Sequence, residues 1–217
     1  ATVHGHDIEV GLSANYSSRI IQLEKSVQQL VVVSDKLAVK VPNSVVIPCH
    51  VEVPEKLQRP IKKWRGRWRR GELEVLFPAN SKRPEKDHYL ALQTCRELET
   101  RGWRVKIGDL PNVPRNIVHD RMHACDIALI TSRRESGPLV AREAIVCGLP
   151  VVSVDIGDMK SWLPPHCIAK ERTPEALADA VEAVLKSEET IQLPDIFEKE
   201  HVSKELEKLF TRLLKKS

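Results

Sequence analysis

The sequence predicts an α/β protein built on parallel sheets. Three observations predict it. From Leu73 onward, short apolar runs alternate with helical periods at the spacing of βαβ units. The segment between the first two of these runs carries Pro84 early and Gly102 late, the usual asymmetry of helix ends. Upstream, the apolar runs Leu30–Val33 and Val45–Ile47 stand around helical segments, which points to a further α/β layer. At 217 residues the chain has room for one or two domains and for a core that needs no disulfide or metal.

Taken in order, Arg19–Gln29 places Ile20, Ile21, Leu23 and Val27 at a helical period. Leu30–Val33 reads as a buried strand, with Ser34 capping a short helix through Ala38. Val45–Ile47 is a strand closed by Pro48. Residues 52–72 contain Pro54 and Pro60 and, from Lys56 to Arg70, eight Lys or Arg and no acid; they read as a linker that partly folds as a helix. Strands follow at Leu73–Pro78, Trp103–Gly108, Ile127–Thr131 and Val151–Val154. The helices between them are Tyr89–Arg101, Asn116–Cys125 and Leu139–Cys147, the last stopped by Gly148. Thr173 as N-cap and Pro174 at the first position begin a helix that runs to about Ser187. The last helix, His201–Lys216, gathers Leu206, Leu209, Phe210, Leu213 and Leu214 on one face, which must pack on something.

Composition excludes several classes. Hydrophobic residues at 41% and charged residues at 29% describe a folded chain, not a disordered one. A net charge of +4 is too mild to declare a nucleic-acid binder. No apolar run approaches the length of a spanning helix, and no signal-peptide pattern is read. The chain opens on Ala1, not Met, as expected of a trimmed form. Cys49, Cys95, Cys125, Cys147 and Cys167 show no C-x-x-C spacing, so they are expected to be buried free thiols in a reducing compartment, not zinc ligands.

Chemistry concentrates after the Ile127–Thr131 strand, in Ser132-Arg133-Arg134-Glu135-Ser136-Gly137-Pro138-Leu139-Val140-Ala141-Arg142-Glu143. A helix starting near Pro138 or Leu139 presents free amides, an anion site, at the strand ends where such sheets bind ligands. Gly137 lets a ligand approach the backbone. Glu135 precedes the helix, and Glu143 lies about one turn inside it, facing the crevice. Two carboxylates flanking an anion site suit a ligand with phosphates and sugar hydroxyls.

These residues resemble a known family. Glu135 and Glu143 stand as the E-x7-E motif of retaining glycosyltransferases of the group 1 type, which have the GT-B fold. Ala144-Ile145-Val146-Cys147-Gly148-Leu149-Pro150-Val151-Val152 continues that motif. Ala124-Cys125-Asp126-Ile127 resembles its strand entry, and Phe77-Pro78 through Arg83-Pro84-Glu85-Lys86 its phosphate loop. Val32-Val33-Ser34-Asp35-Lys36-Leu37-Ala38, Val46-Ile47-Pro48-Cys49 and His4-Gly5-His6-Asp7 match earlier family motifs in the same order.

The resemblance implies a Rossmann-like donor domain at 73–200 and a partial, truncated N-terminal acceptor-side lobe at 1–51. It also implies a basic linker at 52–72 and a C-terminal helix at 201–217 that packs back on the N-terminal lobe. It implies a metal-independent transferase that moves a hexosyl group from a nucleotide-sugar to an acceptor with retained configuration. The nucleotide-sugar is a substrate, and no cofactor or metal is expected; no D-x-D occurs. Glu135 would hold donor-sugar hydroxyls. Ser136, Gly137, Pro138, Leu139 and Val140 would line the phosphates, and Glu143 would hold the ribose. Lys86, with Arg83, would neutralise the departing diphosphate, and His4 would face the sugar and acceptor. The loop Leu110–Pro114, with Val113, would meet the nucleobase.

Three places depart from the family pattern. Ser81 stands where an Arg is usual, with Arg83 as its substitute. The hinge reads Pro48-Cys49-His50-Val51-Glu52. The family's first strands, which precede its H-G-x-D motif, have no counterpart, so a homodimer or a partner chain is expected. A non-catalytic nucleotide-sugar-binding or regulatory subunit is the alternative reading. Lys62–Arg70, basic with interleaved Trp64 and Trp68, fits a solvated linker, a nucleic-acid grip or an anionic membrane contact. Among the functional readings membrane is preferred, because family members act on lipid-linked acceptors. The expected location is cytoplasmic and peripheral to the membrane, with no nucleic-acid partner.

Overall fold

Four parallel strands organise the larger lobe: β4 (Glu72–Phe77), β5 (Arg104–Asp109), β6 (Ile127–Ile130) and β7 (Val151–Ser153), in the order β5-β4-β6-β7. A second parallel sheet, in the order β1-β2-β3, consists of β1 (Thr2–Val3), β2 (Val31–Val32) and β3 (Val45–Val46). The computed structural model describes residues 2–3, 25–59, 71–189 and 191–215. The His4–Asp7 motif and the basic Lys62–Arg70 segment lie outside the described residues, as does most of the helix expected at Arg19–Gln29.

Strand β6, most of β7 and the second half of β4 are apolar because helices cover both faces of the sheet there. Ile127, Ala128, Leu129, Val151 and Val152 are fully buried. The covering helices are α2 (His88–Thr100), α3 (Arg115–Ala124), α4 (Leu139–Val146), the short α5 (Met159–Trp162) and α6 (Pro174–Lys186). Thr173 caps α6 by accepting from the Ala176 amide at 3.2 Å, and Leu177, Val181, Val184 and Leu185 form its buried stripe. The expected strand Trp103–Gly108 runs one residue later, Arg104–Asp109, because the Trp103 amide is taken by Leu98 O at the end of α2, at 3.1 Å.

The smaller lobe holds the short helix α1 (Asp35–Ala38). Ser34 precedes it but does not cap it: the buried Oγ finds no partner among the described residues. The chain crosses between the lobes twice. On the first crossing, residues 52–59 are no free linker. Val53 is buried in the main core, Leu57 packs against that core, and the Arg59 amide donates to Val146 O at 3.0 Å. A 3₁₀ turn at Glu55–Leu57 is the one helical piece among them.

The second crossing leads into α7 (Lys199–Leu214), which lies on the smaller sheet. Val202 and Leu209, with Leu206 and Leu213, pack on Val31, Val45 and Ile47. Phe210 and Leu214, expected on the same face, point to solvent at 59% and 77% exposure. The contact stripe runs 202, 206, 209, 213, which leaves 210 and 214 just past its edge.

Cys95, Cys125, Cys147 and Cys167 are buried and Cys49 is half-buried, all as free thiols. Burial pushes the Cys95 and Cys167 thiols up to about 12. Among the described residues no helix is long and apolar enough to cross a membrane.

Candidate functional site

The strand order reverses at β4: the chain steps outward to β5, then returns to the other side of β4 as β6. Open α/β sheets bind ligands at such a switch point, beyond the carboxyl ends of the strands. Lys86 follows β4, and Glu135 follows β6. Their side chains meet there, Lys86 Nζ on Glu135 Oε1, with each side chain 15% exposed. Ser132 Oγ donates to the same carboxylate oxygen at 2.8 Å.

The backbone beneath Lys86 is held tightly. Pro84–Lys86 is a 3₁₀ turn that ends at Asp87 in a left-handed conformation, φ 53°. Thr131 Oγ1 shares its one hydrogen between the carbonyls of Lys86 and Asp87, 3.0 and 2.9 Å away. Arg133 Nε and Arg172 Nη2 donate to Asp87 Oδ2 at 3.0 and 2.7 Å, and Arg172 also donates to Thr131 O and Ser132 O. Burial pushes the Asp87 carboxyl up, but the two guanidinium groups outweigh it and hold it below its ordinary value. This cluster stitches the turn after β4 to the end of β6, so the backbone that carries Lys86 is held beside the loop that carries Glu135.

Pro138 is buried and offers α4 no side-chain cap. The first turn therefore presents its amides at Leu139 and Val140 to the crevice, the arrangement that binds anions. Leu139 is exposed, and Ser136, Gly137 and Val140 are half-buried.

Glu143 does not stand open in the crevice as expected. It is buried, and Arg115 Nη2 at the start of α3 donates to its Oε1 at 2.6 Å. Burial pushes this carboxyl above its ordinary range, and Arg115 only partly opposes the shift. Val113 lies two residues before Arg115 and is half-buried against the core. Arg83 does not join Lys86 at Glu135. It pairs with Glu85 on the exposed side of the turn, Nη2 to Oε1 at 2.6 Å. His4 lies outside the described residues.

The structure thus brings together Lys86 with Glu135, and Glu143 with the α3 start near Val113, on either side of the α4 N-terminus. Sequence reasoning missed Arg115, Asp87, Arg172 and Arg142. For Arg115 a signal existed: a cation on the first turn of a helix is unfavourable unless a carboxylate awaits it. Asp87, at the Pro84–Tyr89 boundary, carried the mark of an N-cap and indeed accepts from Leu90 N at 3.4 Å. Chemically, the site can take a polyanion at Lys86 and the α4 amides, with hydroxyls at Glu135 and Glu143. Among the described residues no group of three His, Cys, Asp or Glu side chains is placed to hold a metal ion.

Comparison with known proteins gives the same picture. The family model described as "Glycosyl transferases group 1" matches residues 73–200. A D-inositol 3-phosphate glycosyltransferase of Geodermatophilus obscurus is 32% identical over 107 residues, which are 46% of this chain and 24% of that protein. The chain thus matches about a quarter of that relative's length. Among solved structures, sucrose-phosphate synthase from Thermosynechococcus elongatus superposes with a TM-score of 0.67 at 18% identity, covering 100% of this chain and 68% of that one. Anabaena HepE in complex with UDP and glucose superposes with a TM-score of 0.69 at 16% identity, covering 97% and 71%. The fold is the GT-B type, with a Rossmann-like larger lobe.

Proposed function

Because this chain belongs to the group 1 glycosyl transferases, we propose that it binds a nucleotide-sugar and transfers a hexosyl group to an acceptor, with retained configuration and without a metal. The Lys86–Glu135 ion pair at the switch point carries the reading. It sets a cation and a hydroxyl acceptor side by side, next to a helix start that attracts anions. HepE, which shares the fold, was solved with UDP and glucose.

In this proposal the donor diphosphate lies on the α4 amides near Pro138, Leu139 and Val140. Lys86 turns from Glu135 to the phosphate oxygens and stabilises the charge that grows as the diphosphate leaves, the largest single device such a site has. Glu135, released from Lys86, accepts hydroxyl hydrogens of the sugar, as Ser132 already shows it can accept. Glu143 accepts from the ribose through the oxygen that Arg115 leaves free. The loop with Val113 faces the base. His4, by its H-G-x-D motif, is assigned to the sugar and acceptor.

The proposal includes association with a second copy or partner chain, supported by the apolar surface that Phe210 and Leu214 leave open on α7. It also includes a cytoplasmic, membrane-peripheral location through Lys62–Arg70. Co-sedimentation with anionic vesicles that fades with added salt is the expected sign of that contact.

The decisive assay incubates the chain with UDP- and GDP-hexoses in EDTA, follows donor consumption, and reads the product anomer by proton NMR. Retained configuration unaffected by EDTA supports the proposal. Inversion of the anomeric centre or a metal requirement overturns those parts of it. Nucleotide binding with no donor consumption favours the binding-subunit reading instead.

A further inference from the structure

Arg142 is the largest fully buried side chain among the described residues, 1% exposed, and it lies one residue before Glu143. A charge so deep is costly without partners. Its Nη2 pairs with Oδ2 of Asp158, a side chain 10% exposed whose other oxygen, Oδ1, accepts from the Trp162 indole N–H at 3.4 Å. Its Nη1 donates to Cys49 O at 3.1 Å. Its guanidinium lies 3.8 Å from the centroid of the Phe197 ring, within cation–π range.

These partners fall on three separate parts of the molecule. Cys49 is on the first crossing between the lobes. Phe197 is on the second, and the two crossings are joined by the Val51 amide donating to Phe197 O at 3.0 Å. Asp158 lies against the loop after β6. A Cβ on Gly137 would come within 2.8 Å of Arg142 Nη2 and 3.1 Å of Asp158 Oδ2. Gly157, at φ 57°, closes the other side: a Cβ there would sit 3.2 Å from Ser136 C and 3.3 Å from Glu135 O. The Glu135–Gly137 loop therefore packs directly on Arg142 and Asp158 and on the backbone at Gly157.

We propose that Arg142 and Asp158 form a positioning pair that links the Glu135–Gly137 loop to both lobe crossings, so that occupancy of the loop is transmitted to the hinge. The inference rests on the donor-site reading above. A planar guanidinium is suited to the task because it can hold a carboxylate, a carbonyl and a ring in one rigid arrangement, which an ammonium cannot.

The test is hydrogen exchange read by mass spectrometry, with UDP and separately with GDP as probes. In the native chain, saturating nucleotide slows exchange at residues 133–140 and also at the crossings, residues 48–53 and 194–198. Removing one partner would strand a buried charge and endanger folding, whereas neutralising both members is often tolerated. The variant is therefore Arg142→Met with Asp158→Asn, its fold verified by near-ultraviolet circular dichroism. At saturating nucleotide it is expected to keep protection at 133–140 and to lose it at both crossings. Arg142→Lys, which keeps the charge but not the fork, behaves as the double variant does. Undiminished protection of the crossings in the double variant overturns the link. If neither nucleotide alters exchange at 133–140 in the native chain, the donor-site reading itself fails, and the link fails with it.

Discussion

Glu143 and Arg115 form an ion pair with one side in the protein and the other in water: the carboxylate side chain is 5% exposed and the guanidinium 63%. The two partners therefore contribute unequally. Losing Arg115 strands a buried charge, whereas losing the charge of Glu143 leaves a cation that water can solvate.

Arg115→Ala should lower stability at neutral pH by about 1–3 kcal/mol, the cost of an unsatisfied buried polar group. The sign of its pH dependence follows from burial, which already raises the Glu143 carboxyl above its ordinary value. A raised carboxyl pKa means the folded state binds the extra proton, so stability is present below the unfolded value and lost as pH rises through the folded one. Removing Arg115 raises the folded value further. Thermal melts at pH 5 and 7.5 should show a larger native-to-variant gap at 7.5; equal gaps would contradict the pairing.

Glu143→Gln should leave the fold intact and weaken nucleotide binding by about 1–3 kcal/mol, the scale of a charge-assisted hydrogen bond. Calorimetric titration measures it. Unchanged affinity would remove Glu143 from the site.

His119 gives a second pH signature, with the opposite slope. It is buried, and its Nε2 has no partner among the described residues. Burial first, then Arg115 and His123, hold its pKa below the ordinary 6.5. The unfolded chain therefore takes up the proton first, and stability falls as pH drops below about 6.5. His119→Gln should flatten the melting temperature between pH 5 and 7. A variant curve parallel to the native one would show that another group is responsible.

Neighbouring residues on α7 should differ sharply. Leu209 is buried on the smaller sheet, while Phe210 is exposed. Leu209→Ala should cost about 2–5 kcal/mol in urea denaturation, and Phe210→Ala should shift the midpoint little. A reversal would place the wrong face of the helix on the sheet.

That helix also marks where the sequence could be read and where it could not. Its period located the helix, yet five apolar positions fit one broad stripe, and only the width of the β2–β3 surface decided that 210 and 214 fall outside. The main strands and helices of the larger lobe were legible, because Pro84, Gly102, Gly148 and Thr173 punctuate it and its inner strands are apolar; the short helix Met159–Trp162 was not, since four residues are too few to show a period. Residues 52–59 misled: prolines and charge spoke for a linker, while Val53 and Leu57, four apart, were the faint sign of packing on α3 and α4. At the site, Lys86, Glu135 and the α4 start were legible from local order. Arg115, Arg142, Asp158 and Arg172 were not, since each acts through a partner distant in sequence, and a charged residue is by default an exposed one.

The account turns on Lys86, and titrating a nucleoside diphosphate and its nucleoside into native and Lys86→Ala chains tests it most directly. A cation beside a helix start should serve phosphates and be indifferent to the base and ribose. UDP and uridine, with GDP and guanosine as the second pair, are the ligands, and calorimetry in EDTA is the measurement. The predicted result is a diphosphate affinity about tenfold or more weaker in Lys86→Ala, with nucleoside affinity unchanged. Equal losses for diphosphate and nucleoside, or no loss for either, would contradict a phosphate role for Lys86.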